Sequence, residues 1–293
     1  MNVLHAILLG LIQGLTEFLP VSSTAHLTLA EHLLFSGNPM PLAFDVLLHL
    51  GTLGALMVYF RQELVQVVMG CFGRDKEGRR LALWLFVAMI PTGIFGLATR
   101  GVKEAAKEHL WVYGLGLLGT AALLFLANRL SRERVNLSEQ DLAGRDLQAL
   151  RPMDALAVGA IQGLGGGFGL SRSGSTIAVG VFRGLKLPAS ARFSFMLGML
   201  TIAAAAVVEL RGLLKPLLKH QPLPPELAFP PGSLSPVLLC TMGVVAAGIS
   251  GYLAIGLLDR FTRRPRLNGF AAYCLGMGLL MLGLGASGVL GHH

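Results

Sequence analysis

Apolar residues dominate nine stretches of this chain, and polar residues collect between them. Six stretches, 42–60, 81–99, 110–128, 193–210, 235–258 and 267–290, have about the 20 residues that a helix needs to cross a bilayer. The first two, 3–17 and 23–35, are too short, and 153–184 is interrupted midway by Gly165-Gly166-Gly167-Phe168-Gly169. Two half-length helices around a polar turn predict a re-entrant hairpin, which enters and leaves by one face. Non-helical backbone at that depth is tolerated where protein or a wet cavity surrounds it. The predicted fold is therefore an all-α polytopic membrane protein: six transmembrane helices plus two re-entrant helical hairpins. Three spans separate the hairpins, so the second enters from the opposite face, and the halves, 1–130 and 152–290, form an inverted-topology repeat. A polar connector near 131–151 joins them within a single membrane domain of 293 residues.

The two hairpins also match in sequence. Ile12-Gln13-Gly14-Leu15 recurs as Ile161-Gln162-Gly163-Leu164. In that register Ser22 aligns with Ser171, Ser23 with Arg172 and Thr24 with Ser173. Paired broken segments in two halves of a membrane protein point to a site near the midplane. Ser22 or Ser23 is also a natural N-cap for the helix that follows Pro20.

Composition agrees with the pattern. The chain is 53% hydrophobic and 14% charged, where soluble domains carry about 25% charge. Its excess of eight positive charges then reports membrane orientation rather than nucleic-acid binding. Of 24 Lys and Arg, seventeen fall in the connectors 61–80, 129–151, 183–192 and 259–266, and six (Arg100, Lys103, Lys107, Arg211, Lys215, Lys219) fall on the other face. The basic face is expected to be cytoplasmic, which puts both termini and the mouth of the first hairpin outside. Arg172, in the turn of the second hairpin, is the one cation left over. Cys71, Cys240 and Cys274 have neither disulfide nor zinc spacing. No cleaved signal peptide is expected, and the terminal His292 and His293 are given no role.

Ionisable groups inside a membrane are costly and mark sites. If the hairpin tips meet, one cavity gathers Gln13, Glu17, Ser22, Ser23, Thr24, His26, Gln162, Ser171, Arg172, Ser173, Ser175 and Thr176. Hydroxyls, two helix N-termini and a guanidinium suit a phosphate or pyrophosphate. His26 lies three residues after Ser23, on one helical face, so it is expected to reach that hydroxyl as a base or to protonate a leaving oxygen. Glu17 either holds a divalent metal or orients His26. Asp45 and His49, four apart in an apolar run, read as supporting or structural, and the Asn268, Phe270 and Tyr273 face reads as packing.

At these residues the chain resembles the undecaprenyl-diphosphatases of the bacitracin-resistance (BacA/UppP) family. The resemblance rests on Gln13-x-x-x-Glu17, on Gly14-Leu15-Thr16-Glu17-Phe18-Leu19-Pro20-Val21-Ser22-Ser23-Thr24-Ala25-His26, on Phe44-Asp45 through His49-Leu50-Gly51-Thr52, and on Ser171-Arg172-Ser173-Gly174. It implies removal of the terminal phosphate of undecaprenyl pyrophosphate at the outer face of the bacterial inner membrane, which recycles the carrier for peptidoglycan synthesis and gives bacitracin resistance. It implies two re-entrant hairpins in inverted repeats. Catalytic roles fall on Glu17, Ser23, His26 and Arg172, with phosphate contacts from the remaining hydroxyls and Gln162. It also implies a divalent cation, Mg2+ or Ca2+, at Glu17 and Gln13. Position 13 is Gln where some members carry Glu, and Phe168-Gly169 replaces a common Pro-Gly. The expected partners are the membrane and a polyprenyl pyrophosphate, with a homodimer left open and nucleic acid excluded. A polyprenyl-phosphate flippase or transporter is the alternative, because broken inverted repeats are also transporter architecture.

Overall fold

The computed structural model describes residues 1–35, 41–106, 109–136, 144–166, 168–218, 235–264 and 266–287. Lys107, Lys219, Gly167, the turn at Pro39, the end of the last apolar run and most of the Pro-rich stretch 211–234 lie outside these.

The protein is an all-helical, polytopic membrane protein. Twelve α-helices occur among the described residues. Two form a short first pair, α1 (Val3–Phe18) and α2 (Ser23–Phe35), and two a short later pair, α8 (Pro152–Gly165) and α9 (Arg172–Phe182). Five others are long and apolar enough to cross a bilayer: α5 (Lys76–Ala98), α7 (Leu110–Asn136), α10 (Leu187–Leu218), α11 (Pro236–Thr262) and α12 (Asn268–Ser287). The remaining three are α3 (Leu42–Tyr59), α4 (Arg61–Cys71) and the single turn-rich helix α6 (Arg100–Ala106). α3 and α4 count as a sixth candidate span if taken together, bent by 80°.

The structure corrects the connectors. Residues 61–80, read as a basic loop, are mostly helix: α4 runs along α5, and the two close up at Gly70 and Gly78, where an added Cβ would strike the facing backbone. Small residues permit such backbone approach. Residues 100–108 carry α6, and α10 begins six residues earlier than predicted and continues through Pro216. Charged side chains hid these extensions because hydropathy reports lipid contact, not helicity.

Glycine also sets the first pair into the bundle. α1 packs on α11, where Gly14 faces Ala247 O and the Ser250 hydroxyl. α8 packs on α5, where Gly163 faces Thr92 O and Pro91 O. α7 lies against α12 and α9, and α10 against α3 and α9. At the base of the second pair, the backbone of Arg145 pairs with Gly184 and Lys186, and the buried Asp154 accepts from Arg145 (2.6 Å), Arg183 (3.2 Å) and the Arg151 amide (3.0 Å). A carboxylate buried there is held by paired charges rather than left bare.

Candidate active site

The tips of the two short pairs touch. Arg172, the first residue of α9, donates from Nη2 to Glu17 Oε1 at 2.6 Å. Ser173 Oγ donates to Leu19 O at 3.2 Å, and a Cβ on Gly174 would meet Pro20 at 3.2 Å. The other oxygen of Glu17 accepts the Ser23 hydroxyl at 2.7 Å and the Gln13 amide at 3.3 Å. One carboxylate thus joins the acid, hydroxyl and guanidinium that lay 155 positions apart at the extremes. The side chains are 8% (Glu17) and 16% (Arg172) exposed. Opposite charges drawn from water in this way hold firmly while paired, and removing one partner costs about 3–5 kcal/mol.

Local sequence makes these placements. The backbone at Ser22 takes φ 69°, and its hydroxyl accepts from Ala25 N at 3.4 Å, capping α2. Ser171 caps α9 through Gly174 N at 3.2 Å, and its own amide donates to Thr120 at 2.9 Å. Both caps bring helix N-termini to the same place, where backbone N–H groups and helix dipoles favour an anion. Gly198 on α10 admits the guanidinium: a Cβ there would occupy the position of Arg172 Nη1.

A cavity of about 250 Å³ opens at this junction. Its walls include Glu17, Ser22, Ser23, Thr24, Gln162, Ser171 and Arg172, all predicted from sequence, and also Thr16, Asp45, His49, Thr201 and Glu209. Gln162 is held by Thr201 at 2.8 Å and Thr92 at 3.4 Å. Gln13 sits behind Glu17, fully buried, and does not line the cavity.

Besides Gln13, four expected site residues are placed otherwise. Ser173, Ser175 and Thr176 are buried, outside the cavity wall. Ser173 bonds Leu19 O and Ser171, Ser175 bonds Arg172 O, and Thr176 bonds Arg172 O and Ser194. Their hydroxyls are taken up by backbone and by the neighbouring helix, since a buried hydroxyl without a partner is costly. His26 does not reach Ser23. Its Nδ1 bonds the Ser22 carbonyl at 2.8 Å, and its Nε2 bonds the Tyr273 hydroxyl at 2.6 Å, with the rings stacked at 9°. Tyr273, read as packing, thus anchors a predicted site residue.

Two residues count for more than the sequence reading gave them. His49, read with Asp45 as supporting or structural, is a cavity wall; its signal was an ionisable pair four apart in an apolar run. Lys103 of α6 donates to Gly163 O at 2.6 Å and sits 5.8 Å from the centre of the Phe168 ring, above the second turn. Burial pushes its ammonium pKa below the usual range. No pattern in a mixed-charge loop marked it out.

Residues 6–280 match the family model of bacitracin resistance protein BacA. The chain belongs to the BacA family. Undecaprenyl-diphosphatase of Syntrophotalea carbinolica is 38% identical over 281 residues, covering 95% of this chain and 97% of that protein. Undecaprenyl-diphosphatase of Desulfosudis oleivorans is 35% identical, covering 97% and 99%. The protein of the same name from Methanobrevibacter smithii is 34% identical, covering 96% and 97%. The BacA match takes in both helix pairs and α3, so every cavity-lining residue lies inside it.

Proposed function

We propose that this protein hydrolyses undecaprenyl pyrophosphate to undecaprenyl phosphate and inorganic phosphate, recycling the lipid carrier of peptidoglycan synthesis and conferring tolerance of bacitracin. One observation carries the reading: a single buried carboxylate, Glu17, holds both a guanidinium and a hydroxyl at the wall of one cavity. Phosphoryl transfer asks mainly for positioning and charge stabilisation, and these residues supply both. The terminal phosphate lies against Arg172 and the N-termini of α2 and α9. Ser23, its proton directed at Glu17, presents its oxygen lone pairs to phosphorus or orients the water that attacks. Glu17 receives the proton. Ser22, Thr24, Ser171 and Gln162 bind the remaining oxygens. Gln13 steadies Glu17, and His26 holds the Ser22–Ser23 turn to α12. The relatives' shared name favours this enzyme over a flippase.

The donor set fits a divalent cation, Mg2+ or Ca2+, that arrives with the substrate. The described residues gather no three His, Cys, Asp or Glu to hold one unaided, yet Gln13 Oε1 is buried without a partner beside Glu17. Glu17 and Gln13 would hold it, and it would neutralise charge on the pyrophosphate.

The membrane arrangement we propose is six spans, with α1–α2 and α8–α9 as re-entrant hairpins in an inverted repeat, in the bacterial inner membrane. The cavity opens to the periplasm, and both termini lie outside. Matching contacts support the repeat. Thr92 of α5 donates to Gly159 O of α8 and to Ala88 O; Ser250 of α11 approaches Gly10 O of α1 and donates to Ala246 O. Gly159 and Gly10 stand in the same 149-residue register as the two Ile-Gln-Gly-Leu segments.

The test is phosphate release from polyprenyl pyrophosphate by the full chain in detergent. Turnover that Arg172→Ala abolishes is expected; turnover that survives both Arg172→Ala and Glu17→Ala overturns the site.

A further inference from the structure

The cavity contains an imidazole that no step above employs. His49 Nδ1 is 2.9 Å from the Asp45 carbonyl and 3.5 Å from the Asp45 carboxylate. Its Nδ1–H is therefore donated to its own helix, and the ring is fixed with Nε2 on the opposite edge. The side chain keeps 32% of its surface accessible and forms part of the cavity wall with Glu17, Ser23 and Arg172. The charged groups that face it are Asp45 on α3, Glu17 on α1 and Glu209 on α10. α11 meets α3 nearby through Val244 and Ala247 at Gly51. Carboxylates on three elements are suitable company for an imidazolium. His26, by contrast, has both ring nitrogens bound, to Ser22 and Tyr273, and is not a wall of the cavity.

We propose that His49 is the general acid of the reaction and Asp45 its positioning residue, an assignment that rests on the phosphatase reading. The attacking oxygen bonds to the terminal phosphorus and gives its proton to Glu17. The bond from phosphorus to the bridging oxygen breaks, and its electron pair stays on that oxygen, which takes the Nε2 proton of His49. Hydrolysis consumes one water: where water attacks directly, the proton it leaves on Glu17 passes on to reload His49, and where Ser23 attacks, the proton of the displacing water reloads His49. If Ser23 was the attacking group, Glu17 returns its proton to Ser23 as water displaces it.

The experiment measures kcat and KM against pH for the full chain and for His49→Asn, Asp45→Asn and His26→Gln, with binding of a methylene-bridged prenyl bisphosphonate as the control for folding. Asn at 49 preserves the donor to Asp45 O and removes Nε2. His49→Asn is expected to lower kcat about 100-fold or more, to leave KM within a few-fold, and to erase the alkaline fall of the kcat profile. Asp45→Asn moves that limb, and His26→Gln lowers turnover with the limb kept. A His49→Asn enzyme with wild-type kcat, or with the limb intact, overturns the assignment. If His49→Asn does not bind the bisphosphonate, His49→Gln is scored by the same criteria. Wild-type turnover in the same assay scores the phosphatase reading separately: without it both fall, and with it an unaltered His49→Asn removes His49 alone.

Discussion

Ser22 and Gly169 both hold left-handed backbone, φ 69° and 74°, in the turns of the two short helix pairs, yet a side chain is kept in one and dispensed with in the other. In the first turn, Ser22 and Ser23 both face the cavity, so a residue with a hydroxyl occupies a conformation that glycine adopts more easily. In the second turn, Gly169 packs on the backbone of Tyr113, where no Cβ fits. Arg172 then projects from the start of a helix whose next six residues, Ser173 to Ala178, are all buried. The first pair carries chemistry in its turn and accepts strain there. The second keeps its turn close to the bundle and presents one cation from the helix start. Backbone strain at functional positions follows when a side chain is needed where the chain must reverse.

The largest break in this comparison comes from the bond between the pairs. Arg172→Ala or Glu17→Ala is expected to reduce turnover by about 1000-fold or more and to destabilise by about 3–5 kcal/mol, because each leaves an unpaired buried charge. A Glu17→Gln/Arg172→Met double variant should recover most of that stability in thermal unfolding and none of the activity. Gly198→Ala should come next, with about 100-fold lower kcat/KM, because a methyl group takes the place of Arg172 Nη1 while the fold is retained. The two turns should then answer oppositely to substitution. Gly169→Ala is expected to lower stability by about 1–3 kcal/mol, whereas Ser22→Gly should hold stability and weaken substrate binding, seen as a raised KM. Equal responses at both turns would erase the distinction. The smallest effect is expected for Tyr273→Phe, a loss of about 0.5–1.5 kcal/mol in unfolding with turnover nearly kept, since one hydrogen bond to His26 is removed.

The amino-acid sequence by itself determined the membrane class, the two interrupted segments and the isolated cation. These depend on run length and on the cost of charge in lipid, both read directly from composition along the chain. It also placed Glu17, Ser23 and Arg172 together, because two matched turns have few ways to meet inside a bundle. The tertiary structure alone decided which imidazole faces the cavity. Periodicity tells which residues share a helical face, but the rotation of that face toward a neighbour follows from close packing against α11, at Gly51 of α3 and at Gly14 of α1. His26 and His49 each follow a serine or aspartate at helical spacing, and partners distant in sequence, Tyr273 for one and an open cavity for the other, separate their roles. The same competition turned Ser173, Ser175 and Thr176 inward, since a hydroxyl in a dry bundle takes the nearest carbonyl before any ligand.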